Sequence, residues 1–439
     1  MRLSYKRLIQ PLLAPLIGGS AAGMFRGMAK IAAGSATARV VGLATTPLIT
    51  RLYAPSDYGI LSIFTAIVAI VLPFVAFQYP SAIPLPKRNA VAINLICATV
   101  LLMVASVFIL AIVAAIFGAY IANLTSIPPT NLNLLLILLG IVGAGVYEIG
   151  SMYATRQRAY GKLARTLVVQ SLAGRLVQMA LGVLEFRAGG LLIGQIASQS
   201  VGSGSLWQTL IGDVRAYHKR ISKKRMCFAL KRYVAFPVFR MPAQLLLSVS
   251  TEVPLLFVAA YFNASTAGQF GLAASMTAIP MRLFGKAVSN AYYAEVSALG
   301  KREGRKIFAL TKQVTLRLAV LSVPPTVLLF AFGGPLFAFV FGENWRVAGN
   351  IAGLLSLTLG PQLICGGITQ GLAVIGKDRY FLLFNVERLA SVLIYMGVTA
   401  VFSLGLYAST LLYVILLAIH RVIQIGLTLR FMKQHADRV

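Results

Sequence analysis

Acidic residues are scarce in this sequence of 439 residues. It contains 11 Asp and Glu against 40 Lys and Arg, which gives a net charge of +29. Only 12% of the residues are charged, 58% are hydrophobic, and the mean hydropathy is +0.82. A soluble protein of this length needs much more polar surface to cover its core. The composition therefore excludes a soluble fold and indicates that most of the surface faces lipid.

Cysteine and histidine are also rare, at three residues each. Because both sets are scattered along the chain and no Cys-x-x-Cys pattern occurs, their spacing predicts no disulfide and no metal site. The sequence has no phosphate-binding loop, so ATP-driven transport would need a partner protein. We therefore expect a protein that is not an enzyme and has no cofactor.

The excess of basic residues has two possible meanings. In nucleic-acid-binding proteins such residues cluster on a polar, soluble domain. Here they lie between long apolar runs, where the cytoplasmic loops of a membrane protein carry them. We therefore expect membrane lipids as partners and no nucleic acid.

Twelve apolar stretches approach or exceed the roughly 20 residues that a helix needs to cross a bilayer. They are Ile31–Thr50, Tyr58–Tyr79, Ala90–Ala119, Leu132–Tyr153, Leu163–Leu184, Ala188–Ile211, Val234–Phe257, Gly268–Ala294, Val314–Val340, Ala348–Ile375, Tyr380–Phe402 and Leu404–Leu429. The sequence thus predicts an all-α, polytopic membrane protein with about twelve transmembrane helices. We expect two six-helix bundles, 31–211 and 234–429, around a central cavity.

Three further segments complete the predicted domain organisation. Residues 212–233 form a basic cytoplasmic linker, whose simplest interpretation is a topology determinant attracted to anionic lipid. Residues 430–439 form a cytoplasmic tail. Residues 1–30 begin like a signal peptide, with cations before the apolar run Leu8–Ile17, but Pro11 and Pro15 interrupt that run. An interfacial or cytoplasmic entry segment is the favoured interpretation of these first residues.

Basic residues are unevenly distributed among the connections. One alternating set contains Lys87, Arg88, Arg156, Arg158, Lys162, the cations of 215–232, those of 301–312, Lys377 and Arg379. The other set contains only Arg51, Arg187 and Arg346, each with an acidic residue nearby. Cytoplasmic loops are the ones enriched in Lys and Arg. The pattern predicts an even number of spans with both termini in the cytoplasm.

The two halves of the chain also resemble each other. Tyr53-Ala-Pro-Ser-Asp-Tyr-Gly59 lies between the first two stretches, and Phe262-Asn-Ala-Ser-Thr-Ala-Gly268 lies between the seventh and eighth. Six helices per half would give both copies the same orientation in the membrane. Parallel repeats of this kind are typical of transporters, whose substrate site lies between the repeats.

Several cations lie inside the apolar stretches, where a charge costs roughly 2.5–3.5 kcal/mol on insertion scales. We predict that they bind a diphosphate, because guanidinium groups match phosphate oxygens in a two-pronged geometry. The predicted diphosphate ligands are Arg39, Arg175, Arg240, Arg282, Lys286 and Arg388. The intramembrane acids are candidates for ion or proton coupling, although pairing with an arginine is an equal alternative for each. These acids are Glu148, Glu252 and Glu387.

Polar residues recur at four-residue intervals on several predicted helices, which places each series on one helix face. Examples are the series Arg240, Gln244, Ser248, Glu252 and the pair His420, Gln424. Such faces indicate a hydrated cavity, and interhelical hydrogen bonding in a closed bundle is the alternative. The predicted sugar-binding residues of the cavity are Gln195, Gln199, Gln244, Gln362 and Gln370.

Five motifs resemble those of the Wzx-type oligosaccharide flippases, the polysaccharide transporter family within the multidrug/oligosaccharidyl-lipid/polysaccharide exporter superfamily. They are Arg51-Leu-Tyr-Ala-Pro-Ser-Asp-Tyr-Gly59, Tyr79-Pro-Ser-Ala-Ile-Pro-Leu-Pro-Lys87, Tyr233-Val-Ala-Phe-Pro237, Ile279-Pro280 with Ala287-Val288-Ser289, and Phe341-Gly-Glu-Asn-Trp-Arg-Val-Ala-Gly349. One departure occurs before the second motif's Ala-Ile, where the family often has Arg-Tyr-Glu. This chain has Gln78, Tyr79 and Pro80 there, so any role of that acid is absent or assumed by another residue.

The resemblance implies twelve to fourteen helices in two bundles around a V-shaped cavity, working by alternating access in the bacterial inner membrane. The implied cargo is an undecaprenyl-diphosphate-linked oligosaccharide repeat unit for O-antigen, capsule or exopolysaccharide. A polysaccharide polymerase and chain-length proteins are the implied protein partners.

Two other functions stay open. A multidrug or cation exporter of the same superfamily would favour acids in its cavity, whereas this chain offers mostly bases. A polytopic polysaccharide polymerase or ligase usually carries a large periplasmic loop, whereas the predicted periplasmic connections are short.

Overall fold

The computed structural model describes residues 22–125, 131–279, 281, 285–300, 302–377 and 379–438. Seventeen α-helices occur in these ranges, without any strand. They are α1 (Ala22–Leu52), α2 (Pro55–Val75), α3 (Asn89–Thr125), α4 (Asn131–Arg156), α5 (Tyr160–Val183), α6 (Arg187–Ser200), α7 (Ser203–Ala216), α8 (Lys223–Arg232), α9 (Met241–Tyr261), α10 (Ala264–Thr277), α11 (Lys286–Leu299), α12 (Gly304–Phe341), α13 (Arg346–Ser356), α14 (Leu359–Ile368), α15 (Gly371–Val374), α16 (Arg379–Val401) and α17 (Leu406–Arg438). The predicted all-α class is confirmed.

Among the described residues, eight helices are long and apolar enough to span a membrane. A ninth span results if Glu343–Ser356 and Leu359–Val374, bent by 52° at their junction, are counted as one. The multi-pass membrane fold is therefore confirmed, but the count of twelve is not. The predicted stretch Ala188–Ile211 is not one helix. It is interrupted at Gly202, whose φ of +80° separates α6 from α7. Each of these helices has 14 residues, about 21 Å, which is less than a bilayer core.

The predicted stretch Gly268–Ala294 also differs from one continuous helix. It is shared between α10 and α11, which have 14 residues each, and residues 280 and 282–284 lie outside the described residues. Most of the predicted N-terminal segment, residues 1–21, lies outside them as well.

The chain divides into two compact units. Unit 1 comprises Met1–Thr46, Val71–Ile116 and Thr130–Met241, and unit 2 comprises Pro47–Ile70, Phe117–Pro129 and Pro242–Val439. Unit 2 thus includes the end of α1 and most of α2, which belong to the first half of the chain. The two six-helix bundles, 31–211 and 234–429, stay a prediction.

In unit 2, the two copies of the sequence repeat pack directly against each other. A Cβ built on Gly59 would overlap the carbonyl oxygen of Ala264, and one built on Gly268 would overlap that of Pro55. Pro55 and Ala264 occupy equivalent positions in the two copies, so the contact is reciprocal. Only glycine lets α2 and α10 approach this closely.

The motif Phe341–Gly349 packs beside this contact. Trp345 is buried, its Nε1 donates a hydrogen bond to the Thr50 carbonyl at 2.8 Å, and its ring meets Tyr58 edge-on at 5.4 Å. The Gln269 amide donates to the Asn344 carbonyl at 2.6 Å and accepts from the Ala348 amide at 2.8 Å. The first and last of the five motifs therefore form one packing node of unit 2.

In unit 1, the second and third motifs meet, because Tyr233 and Phe236 of the third motif pack on the core that contains Tyr79 of the second. The turn Tyr79–Ala82 packs against α8 and the start of α3, with Leu95 and Ala229 in the shared core. The Tyr79 hydroxyl donates to the Leu230 carbonyl at 3.1 Å. Burial raises the pKa of this hydroxyl, so it stays protonated and remains a donor at neutral pH.

Candidate functional site

A stripe of small and polar residues runs along α5 in unit 1. Its members recur every four residues and are all buried: Thr166, Gln170, Gly174, Gln178 and Gly182. The stripe packs against the small residues of α6. A Cβ on Gly174 would lie 2.9 Å from the Gly194 carbonyl oxygen, and a Cβ on Gly194 would lie 2.8 Å from that of Gly174. The two helix backbones are therefore in close contact, as glycine allows in membranes.

A crevice of about 300 Å³ opens beside this contact. Its lining residues are Leu167, Gln170, Ser171, Gly174, Arg175, Gln178, Gln195 and Ser198. Helix α1 borders the same region, because the Ser171 hydroxyl donates to the Ala38 carbonyl at 2.8 Å. A Cβ on Gly42, also in α1, would lie 3.6 Å from Nη2 of Arg175. The structure thus brings two predicted ligands, Arg175 and Gln195, into one polar crevice.

The polar groups of the crevice form a chain of hydrogen bonds. Nη1 of Arg175 donates to Oε1 of Gln178 at 3.0 Å, and Nε2 of Gln178 donates to the Leu191 carbonyl at 3.2 Å. Nε2 of Gln170 donates to the Gln199 carbonyl at 3.0 Å. Among the described residues, Arg175 forms no ion pair with a carboxylate. Its hydrogen-bond acceptor is the neutral amide of Gln178, so an anionic ligand could still bind the guanidinium.

The other predicted residues of unit 1 lie in different surroundings. Arg39 is exposed on α1. The side-chain oxygen Oε1 of Gln199 is buried and has no hydrogen-bond partner within the described part of the chain. Arg240 is exposed at the end of a π-helical turn, 5.6 Å from the Phe236 ring. Among the described residues, Glu148 of α4 forms no ion pair with Arg240, so pairing and coupling both stay predictions for that acid.

Unit 2 contains a second group of charged side chains, on α9, α16 and α17. The charges of Arg421 and Glu252 both act on Arg388, and all three charges act on the half-buried Tyr413. The Nε atoms of both arginines are buried, and neither has a hydrogen-bond partner among the described residues. Nη1 of Arg421 lies 3.4 Å from Oε1 of Gln424. Three helices therefore share one charged cluster in their interior.

Glu387 of α16 lies beside His420 of α17. Its Oε2 lies 3.4 Å from Nδ1 of His420, without hydrogen-bond geometry. The His420 side chain is 2% exposed and that of Glu387 is 30% exposed. Among the described residues, no ion pair joins Glu387 to Arg388 or to another arginine.

The remaining predicted residues do not gather into a site. Arg282 lies outside the described residues, and of Lys286 only the backbone, at the start of α11, is described. Gln244 and Gln370 are exposed and Gln362 is half-buried. Gln370 lies beyond the end of α14, so Gln362 and Gln370 do not share a continuous helix face. Glu252 is half-buried within the charged cluster.

Three important residues were missing from the sequence prediction. Arg421 follows His420, which was assigned to a polar face, but Arg421 itself was not counted. Gln170 and Gln178 are separated by eight residues on α5, with Gly174 between them. The same four-residue spacing that marked other helices would have found them if glycine had been included in the pattern.

The fold and sequence resemble those of known transporters. The chain is 22% identical over 342 residues to the succinoglycan biosynthesis transport protein ExoT of Rhizobium meliloti (strain 1021), a match covering 76% of this chain and 65% of that protein. It is similar to the solved structure of the lipid II flippase MurJ in an inward closed conformation, with a TM-score of 0.70 and 15% identity, over 92% of this chain and 87% of that one. An inward-facing multidrug resistance transporter of the MATE family matches with a TM-score of 0.60 and 13% identity, over 98% of this chain and 99% of that one.

A family model described as polysaccharide biosynthesis protein matches residues 48–349. This range contains the reciprocal glycine contact, the Trp345 node and the whole Arg175 crevice. The match covers more than half of the chain, and it agrees with the resemblance carried by the five motifs. The chain therefore belongs to the polysaccharide biosynthesis protein family and is a multi-pass membrane protein.

Proposed function

We propose that this protein translocates an undecaprenyl-diphosphate-linked oligosaccharide across the bacterial inner membrane by alternating access. The observation that carries the proposal is the unit 1 crevice, where Arg175 has no carboxylate partner among the described residues and is surrounded by glutamine and serine side chains. A guanidinium binds phosphate oxygens, and amide and hydroxyl groups bind sugar hydroxyls. Family membership and the transport role named for ExoT support the same cargo class.

The cargo would serve O-antigen, capsule or exopolysaccharide synthesis. The term succinoglycan in the name of the similar R. meliloti protein favours an exopolysaccharide. A polysaccharide polymerase and chain-length proteins are the expected partners, because an exported repeat unit has to be joined to others. Both termini and the basic segment 212–233 are proposed to lie in the cytoplasm.

The test is replacement of Arg175 in a strain that depends on this protein for surface polysaccharide. Arg175→Ala should reduce the polysaccharide at least tenfold, while Arg175→Lys should retain part of it because the charge remains and the two-pronged geometry is lost. The readouts are polysaccharide yield and translocation of the lipid-linked oligosaccharide in proteoliposomes. Membrane content of the protein, measured by immunoblotting, shows that each variant is inserted.

Arg165→Ala is the matched control, since Arg165 is on the same helix but exposed and outside the crevice. It should leave polysaccharide near the wild-type level. Normal polysaccharide in the Arg175→Ala strain would contradict the proposal. A drug-efflux assay in a sensitised strain tests the rival function of a cation exporter, and resistance that depends on this protein would favour that rival.

A further inference from the structure

The helix α8 displays a basic and aromatic outer face. Lys224, Cys227, Phe228 and Lys231 are all exposed, and their spacing of three and four residues places them on one side of the helix. Phe228 is 58% exposed although it is a large apolar side chain. No acidic residue occurs between Arg215 and Arg232. We call these four residues the α8 outer face.

The opposite side of α8 is fixed to unit 1. Ala229 and Leu230 pack against the core formed by Tyr79, Ala82 and Leu95. Two hydrogen bonds fasten the segment that precedes α8, both made by the side chain of Asn94. Its Nδ2 donates to the Arg220 carbonyl at 3.0 Å, and its Oδ1 accepts from the Ser222 amide at 3.2 Å. The outer face is therefore held in a defined direction.

The position of α8 along the chain places it at a membrane boundary. Its last residue, Arg232, is followed after three residues by the span Phe236–Tyr261. The span Asn89–Gly118 contributes Leu95, close to its start, to the core under α8. Exposed apolar side chains continue from α8 into the next span, at Val234, Val238 and Phe239. Cations that flank an aromatic residue at such a boundary match the layer of lipid headgroups.

We propose that the α8 outer face docks on the anionic phospholipid surface of the bilayer, with Phe228 inserted among the acyl chains and Lys224 and Lys231 bound to phosphate groups. Two observations favour lipid over a soluble partner protein. The apolar surface continues directly into a membrane span, and the charges around Phe228 all have one sign, which complements an anionic leaflet. The inference does not depend on which molecule the protein transports.

The native Cys227 provides a probe on the same face. Of the three cysteines, Cys227 is exposed, Cys97 is half-buried and Cys365 is buried. A nitroxide label on Cys227 of the full-length protein reports immersion through its accessibility to oxygen and to a water-soluble relaxation agent. The protein would be placed in nanodiscs of two compositions. One contains phosphatidylcholine alone, and the other also contains roughly 30% phosphatidylglycerol as the anionic lipid. A Cys227→Ser variant measures labelling of the other two cysteines.

The label should be immersed in the anionic nanodiscs and should move toward water in phosphatidylcholine alone or at high salt. The double variant K224Q/K231Q should lower the ratio of docked to undocked α8 roughly thirtyfold, since each surface cation contributes about a fivefold factor. The control R305Q/K312Q removes two exposed cations from α12 and should leave the label immersed.

Three results would overturn the proposal. The label could remain in water in both lipids, or it could be equally immersed in both, which would mean that charge plays no part. It could also become shielded only after a cytosolic protein fraction is added, which would make the outer face a protein-binding surface.

Discussion

At the scale of single residues, the charge of Arg175 is the most informative feature of unit 1. A guanidinium has five N–H donors, and the described structure assigns one of its nitrogens to a neutral acceptor, Gln178. A cation in this environment costs roughly 2.5–3.5 kcal/mol on insertion scales. No carboxylate compensates it within the described residues, and the proposed anionic substrate would offset this cost.

Replacing Gln178 by glutamate tests this idea without removing the arginine. Gln178→Glu is nearly isosteric and places a carboxylate about 3.0 Å from Nη1 of Arg175. The resulting ion pair would compete with the substrate for the guanidinium. We expect surface polysaccharide to fall about tenfold or more, equivalent to at least 1.4 kcal/mol in binding, as measured by polysaccharide yield at constant protein level.

Gln208→Glu is the matched control, because Gln208 is exposed on α7 and the change in net charge is the same. It should leave polysaccharide yield unchanged. If Gln178→Glu also transports normally, Arg175 does not hold the cargo.

The charged cluster of unit 2 leads to a prediction about stability. Removing Arg388 leaves Glu252 without one of its attractive partners in the interior. Removing one of two interior charges that attract each other costs up to about 3–5 kcal/mol, the value for a broken buried ion pair, whereas replacing both partners by apolar residues is often neutral. Arg388→Met should therefore lower the unfolding temperature in detergent, and Arg388→Met with Glu252→Leu should restore most of the loss.

Arg317→Met serves as the comparison, since Arg317 is exposed on α12. Its effect on the unfolding temperature should be small. Additive losses in the Arg388–Glu252 double variant would show that the two charges do not stabilise each other.

The sequence allowed only part of the site to be predicted. Arg175 and Gln195, which line one crevice, were predicted as ligands because intramembrane depth and four-residue spacing are visible in a sequence, and their role as ligands stays a prediction. The contact of Glu387 with His420 could not be predicted, because His420 is distant in the sequence and reaches Glu387 only through the packing of α16 on α17. A contact between helices depends on their rotation about their own axes, which one sequence does not specify.

At the scale of helices, the first and last of the five motifs form packing contacts. Gly59 and Gly268 bring α2 and α10 into direct contact. Beside them, Trp345 donates a hydrogen bond to the Thr50 carbonyl and packs edge-on against the Tyr58 ring. The equivalence of the two glycines was predicted from the sequence repeat. Their direct contact was not, because a repeat shows which positions correspond but not whether they meet.

The glycine contact should tolerate no larger residue. Gly268→Ala would place a Cβ onto the Pro55 carbonyl, and the two helices would have to separate. Overpacking of this kind costs about 1–3 kcal/mol. We expect a lower unfolding temperature and a lower yield of inserted protein, measured by fluorescence-detected size-exclusion chromatography after heating.

The control is Gly397→Ala, because a Cβ at Gly397 in α16 would meet no atom within 4 Å. It should be neutral or slightly stabilising, since alanine favours helix. Equal behaviour of the two variants would mean that the α2–α10 contact carries little stability.

At the scale of the whole molecule, composition and hydropathy predicted the class but not the number of spans. Hydropathy marks apolar runs, and it does not distinguish a continuous helix from one broken at Gly202 or bent by 52° at the junction of α13 and α14. The assignment of Pro47–Ile70 to unit 2 also could not be predicted by dividing the chain into two halves at its midpoint. It depends on long-range contacts such as Trp345 with Thr50.

The orientation of the chain in the membrane is the remaining whole-molecule prediction, and the distribution of cations argues for α8 in the cytoplasm. A membrane-impermeant maleimide should therefore label Cys227 in inverted vesicles but not in intact spheroplasts. High salt during labelling weakens contacts between α8 and anionic headgroups, so docking does not mask the cysteine. Glu185→Cys combined with Cys227→Ser, which moves the exposed cysteine to the connection between α5 and α6, should show the reverse pattern. If Cys227 is labelled from outside instead, the positive-inside argument fails for this chain and α8 faces the outer leaflet.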